Sequence, residues 1–299
     1  MPRQMMSESP VVHVPVLLNE IVQWLAPRAG AVLVDGTLGG GGHARALAEL
    51  VGPQGQVLAL DRDPAAVAAA EQNLAGLPIR PLHANFCDLP EVLAELNIEA
   101  VDGVVLDLGQ SSDQLSDAER GFSFWAEGPL DLRFDPTRGE PAWRLLERLS
   151  ATHLADLIYA YGEERLSRRI AAAVVEARRK EPLRTSRQLA DLVAQCVPTP
   201  RGGHRIHPAT RTFQALRIAV NDEIKSLEIA LRRIPDCLRS GARFAVISFH
   251  SLEDRPTKEA FRDDPRLDVL TRKPLIPTEE EIARNPRARS AKLRVAARR

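Results

Sequence analysis

Short apolar runs, often β-branched, recur in the first third of the chain at 31–34, 56–60, 79–82 and 101–106. Runs of that length without polar alternation predict strands buried on both faces. Between them the apolar positions shift to a helical period at 42–51, 64–74 and 88–96. Asp63 followed by Pro64 is a start signal for the second of these helices. Strand and helix alternate at a pitch of about 22–25 residues, which predicts a parallel sheet with helices on both faces. The next comparable run is 243–250, about 140 residues after the fourth strand instead of about 25, so about 110 residues are inserted. The insert reads helical over 141–197, with Leu166, Ile170, Val174 and Ala177 on one face and Thr185 or Ser186 able to cap the next helix. A long helix over 210–238, stopped by Gly241, leads back to the sheet, and 267–271 with 292–296 supply a closing antiparallel pair. The expected fold class is α/β, a Rossmann-like sheet carrying an all-α subdomain. Its parts are a core at 1–114, a helical insertion at 115–208, and a second core part at 209–299 with a basic tail.

Composition narrows the class. Forty Lys and Arg balance forty Asp and Glu, and 44% of the 299 residues are hydrophobic, which excludes disorder as the main state. The longest stretch free of Asp, Glu, Lys and Arg is about eleven residues, against the ~20 that a spanning helix requires. The first twenty residues hold no apolar signal core, so a cytoplasmic location without membrane association is expected. Cys87, Cys196 and Cys237 lie far apart, and His204-x-x-His207 has no third ligand nearby, so neither a disulfide framework nor a metal site is expected. Aromatic residues are few, yet Phe122, Phe124, Trp125, Phe134 and Trp143 fall within 22 positions.

The candidate chemistry sits at strand ends. The first strand runs into Asp35-Gly-Thr-Leu-Gly-Gly-Gly-Gly-His43 and then a helix. Open α/β sheets bind ligands beyond the carboxyl ends of their strands, where glycine allows close backbone approach. Asp61, at the next strand's end, is placed to accept a pair of ribose hydroxyls. No G-K-[ST] follows the glycines, and an acid precedes them, which suits a cofactor bearing ammonium and sulfonium charge better than a pyrophosphate. S-adenosylmethionine fits that description. The fourth strand also ends in an acid, Asp107, followed by Gly109-Gln-Ser-Ser112. Asp107 and the serines either carry chemistry or make turn hydrogen bonds, and Phe122, Phe124 and Trp125 either stack a base or seal the insert against the core.

Several longer blocks closely resemble the bacterial ribosomal RNA small subunit methyltransferase H family, also called MraW. They are His13-Val-Pro-Val-Leu-Leu18, the glycine block 35–43, Asp61-Arg-Asp-Pro64, Asp107-Leu-Gly109, Glu119-Arg-Gly-Phe-Ser-Phe124, Gly128-Pro-Leu-Asp-Leu-Arg133, His207-Pro-Ala-Thr-Arg-Thr-Phe-Gln-Ala-Leu-Arg217, Ser248-Phe-His-Ser-Leu-Glu-Asp-Arg255 and Asn285-Pro-Arg-Ala-Arg-Ser-Ala-Lys-Leu-Arg294. The resemblance spans nearly the whole chain. It implies S-adenosylmethionine-dependent N4-methylation of a cytidine, position 1402, in the decoding region of 16S ribosomal RNA. It also implies cofactor contacts at Gly41, Gly42, His43, Asp61, Phe86, Asp107 and Gln114. The partner would be 16S ribosomal RNA or the small ribosomal subunit; no protein partner is inferable, a homodimer being the open option.

For the reaction, Asp107 or a backbone carbonyl of the 107–112 loop is the candidate acceptor beside the cytosine amino group, and the proton that the attacking nitrogen sheds would go to a carboxylate, His250 or water. Phe124, Trp143 and His250 are candidate stacking partners, and Arg133, Arg211, Ser251 and Glu253 candidate substrate contacts. The basic residues at 201–217 and the seven at 284–299, a stretch without acids, are candidate phosphate tracks. The sequence departs from the family at Gln110, Asp113 and Gly40, and at Pro256-Thr257, where Ile-Val is usual. Proline beyond the first turn of a helix costs about 3 kcal/mol, so the helix after His250 is expected to start late, with Asp254 or Arg255 as its cap. A nicotinamide-dependent oxidoreductase and an RNA-binding or ribosome-assembly protein that has lost activity are the competing readings.

Overall fold

The computed structural model describes residues 15–125, 127–197 and 207–299, so His13, Val14, Arg201, His204 and Arg205 lie outside the described residues. Seven strands form one sheet: β1 Val32–Asp35, β2 Gln56–Asp61, β3 Ile79–His83, β4 Val101–Asp107, β5 Leu238–Ser248, β6 Leu267–Val269 and β7 Lys292–Arg298. Their order is β3-β2-β1-β4-β5-β7-β6, with β7 antiparallel to both neighbours and the first five parallel. This is the expected Rossmann-like methyltransferase sheet, with its strand order reversing between β1 and β4, the switch point where such sheets bind ligands.

Strand alternation builds the two faces of the core. Val57, Ala59, Val105, Ala245 and Ile247 pack on one side of the sheet with Leu17, Leu47 and Val51. Leu58, Leu60, Val104, Leu106, Phe244 and Val246 pack on the other with Leu89, Leu231 and Phe261. A third, separate cluster, including Leu130, Leu154, Ile158, Ile170, Val174 and Val193, holds the inserted helices together. These helices span Ala142–Arg148, Ala151–Gly162, Ser167–Lys180 and Ser186–Cys196. Thr185 caps the last, exchanging hydrogen bonds with Gln188 in a capping box.

The single long helix expected over 210–238 is two helices, Thr210–Asn221 and Glu223–Arg233, broken at Asp222 with φ 50°. The cause is tertiary. Phe213 and Leu216 belong to the inserted cluster, whereas Leu227 and Leu231 belong to the sheet, so the segment must turn between two cores. Asn221 fixes the turn: its side chain accepts the Phe134 N–H (2.7 Å) and donates to the carbonyls of Leu132 and Arg217 (2.7 and 2.9 Å). Gly241, φ 80°, lies inside β5 and does not stop the helix.

The basic C-terminal stretch runs through a short turn of helix, Pro286–Ser290, into β7, and the last four of its basic residues face carboxylates. Arg294 and Lys292 both meet Asp254 (2.6 and 3.3 Å), Arg299 meets Asp268 (2.8 Å), and Arg298 lies 3.9 Å from Asp236. Among the described residues no helix is long and apolar enough to cross a membrane, and the three cysteines are free and buried.

The helix expected to start late begins at Ser251, with His250 as its cap and Pro256 inside it. Anchors on both sides outweigh the proline. Buried Glu253 accepts the Phe249 N–H (2.8 Å), Asp254 takes Arg294, the Thr257 hydroxyl donates to the Glu253 carbonyl (2.8 Å), and Phe261 is in the core. The proline still withholds an N–H that the helix would use, so Pro256→Ala should stabilise the protein by about 1–3 kcal/mol. Urea unfolding at pH 7 checks this; an unchanged midpoint would mean the helix has already absorbed the defect.

Candidate active site

The glycine loop is pinned to the end of β2. The Leu38 N–H donates to the Leu60 carbonyl and the Gly39 N–H to Asp61 Oδ2, both at 2.8 Å, while Asp61 Oδ1 accepts the Asp63 N–H at 2.8 Å. Gly41 closes the turn and caps the helix Gly42–Val51 with φ 77°; a Cβ there would stand 2.8 Å from Leu74 Cδ1, so both backbone and space require glycine. Burial pushes the Asp61 carboxyl above its ordinary value, against the pull of those backbone donors.

Thr37 joins two further strand ends. Its N–H and hydroxyl face Asp35 Oδ1 (3.1 and 3.4 Å), and its hydroxyl oxygen accepts the Asp107 N–H (2.7 Å). Asp35 is fully buried behind the cavity, with Oδ2 unpartnered, and burial pushes its carboxyl up to about 7. Asp107 faces the cavity, with 19% of its side chain exposed; its Oδ1 has no partner and its Oδ2 lies 3.8 Å from His43 Nδ1. Burial raises Asp107 to about 6, with His43 opposing and Asp35 reinforcing the shift. The His43 ring is oriented from its far side, because Nε2 donates to the Val16 carbonyl at 2.9 Å.

These groups line a cavity of ≈ 640 Å³ at the carboxyl ends of β1, β2, β4 and β5. Gly42, His43, Asp61, Phe86, Asp107 and Gln114 line it, whereas Gly41 shapes the turn beneath without facing it. Gln114 is held at both ends: its oxygen accepts the Ser111 N–H and its amide donates to Asp63 Oδ2, each at 3.1 Å. On the opposite wall stand Phe124, His250 and Glu253. His250 Nε2 lies 3.1 Å from Glu253 Oε1 but out of hydrogen-bond alignment, leaving both ring nitrogens without an aligned partner. Burial would raise the Glu253 carboxyl, yet His250, Arg217 and the Phe249 N–H hold it below its ordinary value.

The remaining expected residues lie elsewhere. Trp143 lines a separate cavity of ≈ 240 Å³, with the Arg184 guanidinium 3.7 Å and that of Arg144 4.4 Å from its ring centroid. Arg133 is held by both oxygens of Asp131 at 2.7 Å. Arg211 donates to the Glu163 carbonyl (3.3 Å) and Ser251 to the Glu163 carboxylate (2.8 Å), tying the insert to the helix after β5. None of these four lines the main cavity.

Three arginines matter here: Arg120, which sequence reasoning passed over, and Arg217 and Arg287, expected on phosphate tracks and found to be engaged by partners within the protein. Arg120 donates to Asp63 Oδ2 (2.8 Å) and to the carbonyls of Arg133 and Phe134 (3.0 and 2.8 Å). Arg217 faces the cavity and makes a two-point pair with Glu223 (2.8 and 3.0 Å) across the break at Asp222. Arg287 crosses from the last stretch to Ser112 and the Gln110 carbonyl, and burial lowers its guanidinium value. Arg120, Arg217 and Arg287 all fall inside blocks that carry the family resemblance, but nothing in spacing assigns them partners so distant in sequence.

The model of the MraW methylase family matches residues 10–299. The chain belongs to that family. Among its relatives, ribosomal RNA small subunit methyltransferase H of Trichlorobacter lovleyi is 48% identical over 95% of this chain and 97% of its own length. The proteins of that name from Thermomicrobium roseum and Rhodopirellula baltica are 49% and 50% identical, each over 96% of this chain and over 93% and 91% of their own lengths. A methylase must hold a donor and an acceptor together, and in this member one cavity has both a glycine loop and a set of unsatisfied acceptors.

The raised value of Asp35 has a consequence for stability. A carboxyl whose value is higher folded than unfolded favours folding while protonated, and that advantage is lost as pH rises from about 4 to about 7. Asp35→Asn, which keeps an acceptor for Thr37, should therefore gain stability over the parent across that interval, by at most about 4 kcal/mol at pH 8. Denaturant unfolding of both proteins at pH 5 and pH 8 measures it; a difference independent of pH would show that Asp35 is ionised throughout.

Proposed function

We propose that this chain transfers the methyl group of S-adenosylmethionine to N4 of a cytidine in the decoding region of 16S ribosomal RNA, at position 1402. The target is the one implied by the family resemblance, and its coarser part agrees with the name its relatives carry. The observation that carries the reading is the shared cavity, lined by the Asp61 loop, by Asp107 with its unpartnered Oδ1 and by His250. Its ≈ 640 Å³ falls within the ~300–1,000 Å³ of small-molecule sites.

Gly42, His43, Asp61, Phe86, Asp107 and Gln114 would hold the donor, with Gly41 shaping the turn beneath them. Asp61 has capacity left for ribose hydroxyls, since each oxygen accepts one N–H and a carboxylate offers about four lone-pair sites. Bound there, S-adenosylmethionine supplies an electrophilic methyl group, so the protein's contribution is placement. The amino nitrogen of cytosine is a weak nucleophile because its lone pair is delocalised into the ring. Asp107 Oδ1, free of other partners, accepts one of its N–H groups and turns the lone pair toward the methyl group. As the N–CH3 bond forms the nitrogen must shed a proton, and a carboxylate, His250 beside Glu253 or water would take it. Phe124 stacks on the extruded base, while Arg211, Ser251, Trp143 and Arg133 would meet RNA beyond it.

Asp107 must be ionised to accept, so kcat should rise as pH increases through about 6 and level off above it. Asp107→Asn should lower kcat by ~10²–10⁴ with little change in the KM for RNA. A pH-independent kcat between 5 and 8 would remove Asp107 from the step. The reaction itself is tested by mass spectrometry of nucleosides from small-subunit RNA of cells with and without the gene: N4-methylcytidine species should disappear without it. Retained RNA binding with no methyl incorporation would instead favour the inactive RNA-binding reading.

A further inference from the structure

The aromatic cluster continues outward from the cavity. Phe124 and Phe213 both face the cavity and meet edge to face, with centroids 4.8 Å apart. On its other contact Phe124 stacks on His207, 4.7 Å between centroids and 19° between planes. His207 in turn meets Trp125 edge to face at 5.4 Å. The ring of His207 is fixed, because its Nδ1 accepts the Ala209 N–H at 3.2 Å. Trp125 ends this series with 67% of its surface exposed, the largest exposure of any large apolar residue among those described. The Arg187 guanidinium, paired with Asp191, lies 5.7 Å from its ring centroid.

An indole left open to water at the end of a rigid aromatic series, beside a guanidinium, has the composition of a stacking platform for single-stranded nucleic acid. A protein partner is less favoured, because the indole is a single exposed ring continuous with the cavity wall and not part of a broad apolar patch.

We infer that Trp125 stacks a nucleobase neighbouring the methylated nucleotide, with His207 and Phe124 joining that subsite to the cavity. The inference rests on the proposed RNA substrate. It assigns to the exposed side of the insert a hold on the strand as it leaves the cavity, one that is tolerant of base identity because every base has a π face.

The test is fluorescence anisotropy of the full-length protein with a labelled single-stranded oligoribonucleotide containing one cytidine, across a series of salt concentrations. Trp125→Ala should weaken binding roughly 5- to 150-fold, and Trp125→Phe should recover most of the loss. Because no phosphate contact is removed, the slope of log affinity against log salt should match the parent's, whereas loss of an arginine contact shifts it by about one. Affinity for S-adenosylhomocysteine and the midpoint of thermal unfolding should be unchanged. In methylation assays the loss should appear in the KM for RNA and not in kcat. RNA affinity equal to the parent's, or a changed salt slope, overturns the inference while leaving the methylation reading intact. A parent protein that neither binds nor methylates RNA overturns both.

Discussion

Three carboxyl groups stand at the ends of adjacent strands β2, β1 and β4, and keeping them together out of bulk water is the constraint on which the site depends. Each strand ends in its acid, and in the parallel pairing Asp35 stands level with Ala59 and Val105, two residues short of Asp61 and Asp107. Like charges so placed repel, and burial adds to the cost. The loop between Asp35 and the first helix answers both. Thr37 faces Asp35 and Asp107 at once, and the amides of Gly39 and Asp63 point at Asp61. The glycines matter because a loop carrying side chains could not bend tightly enough to bring those amides to bear.

The result is a graded set. Asp61 is met by two backbone donors, Asp35 is satisfied on one oxygen only, and Asp107, beside the cavity, keeps one oxygen buried and without a partner. The same gradient separates roles: the satisfied group suits binding, the buried one sets the field, and the free one suits the acceptor's side of the reaction. Across the cavity Glu253 is the counterpart, held below its ordinary value by His250, Arg217 and the Phe249 N–H, with His250 Nε2 3.1 Å from its Oε1.

Much of this was legible along the chain. The four early strands, their helices and the Asp63 cap followed from periodicity and spacing, because short-range signals dominate there. Asp61, Asp107 and the glycine loop were legible because strand ends of open sheets collect ligands. What was illegible depended on distant partners. Pro256 obeys no local rule because Glu253, Thr257 and Phe261 anchor the helix around it. The basic stretch at the end of the chain reads as a phosphate track because its partners Asp254 and Asp268 are distant in sequence. Trp143 reads the same as Phe124 in sequence, yet only Phe124 faces the main cavity. The break at Asp222 is invisible to helical periodicity, since the apolar pattern continues through it while the core it faces changes.

That break has a mechanical meaning. The insert leaves the core after β4 and rejoins it at Asp222, and each crossing is bolted by a guanidinium: Arg120 to Asp63 at the first, Arg217 to Glu223 at the second. A lobe hinged at one end can swing like a lid, but one riveted at both ends is a doorframe. Its aperture is set before any guest arrives, and entry becomes a matter of the guest's own deformability.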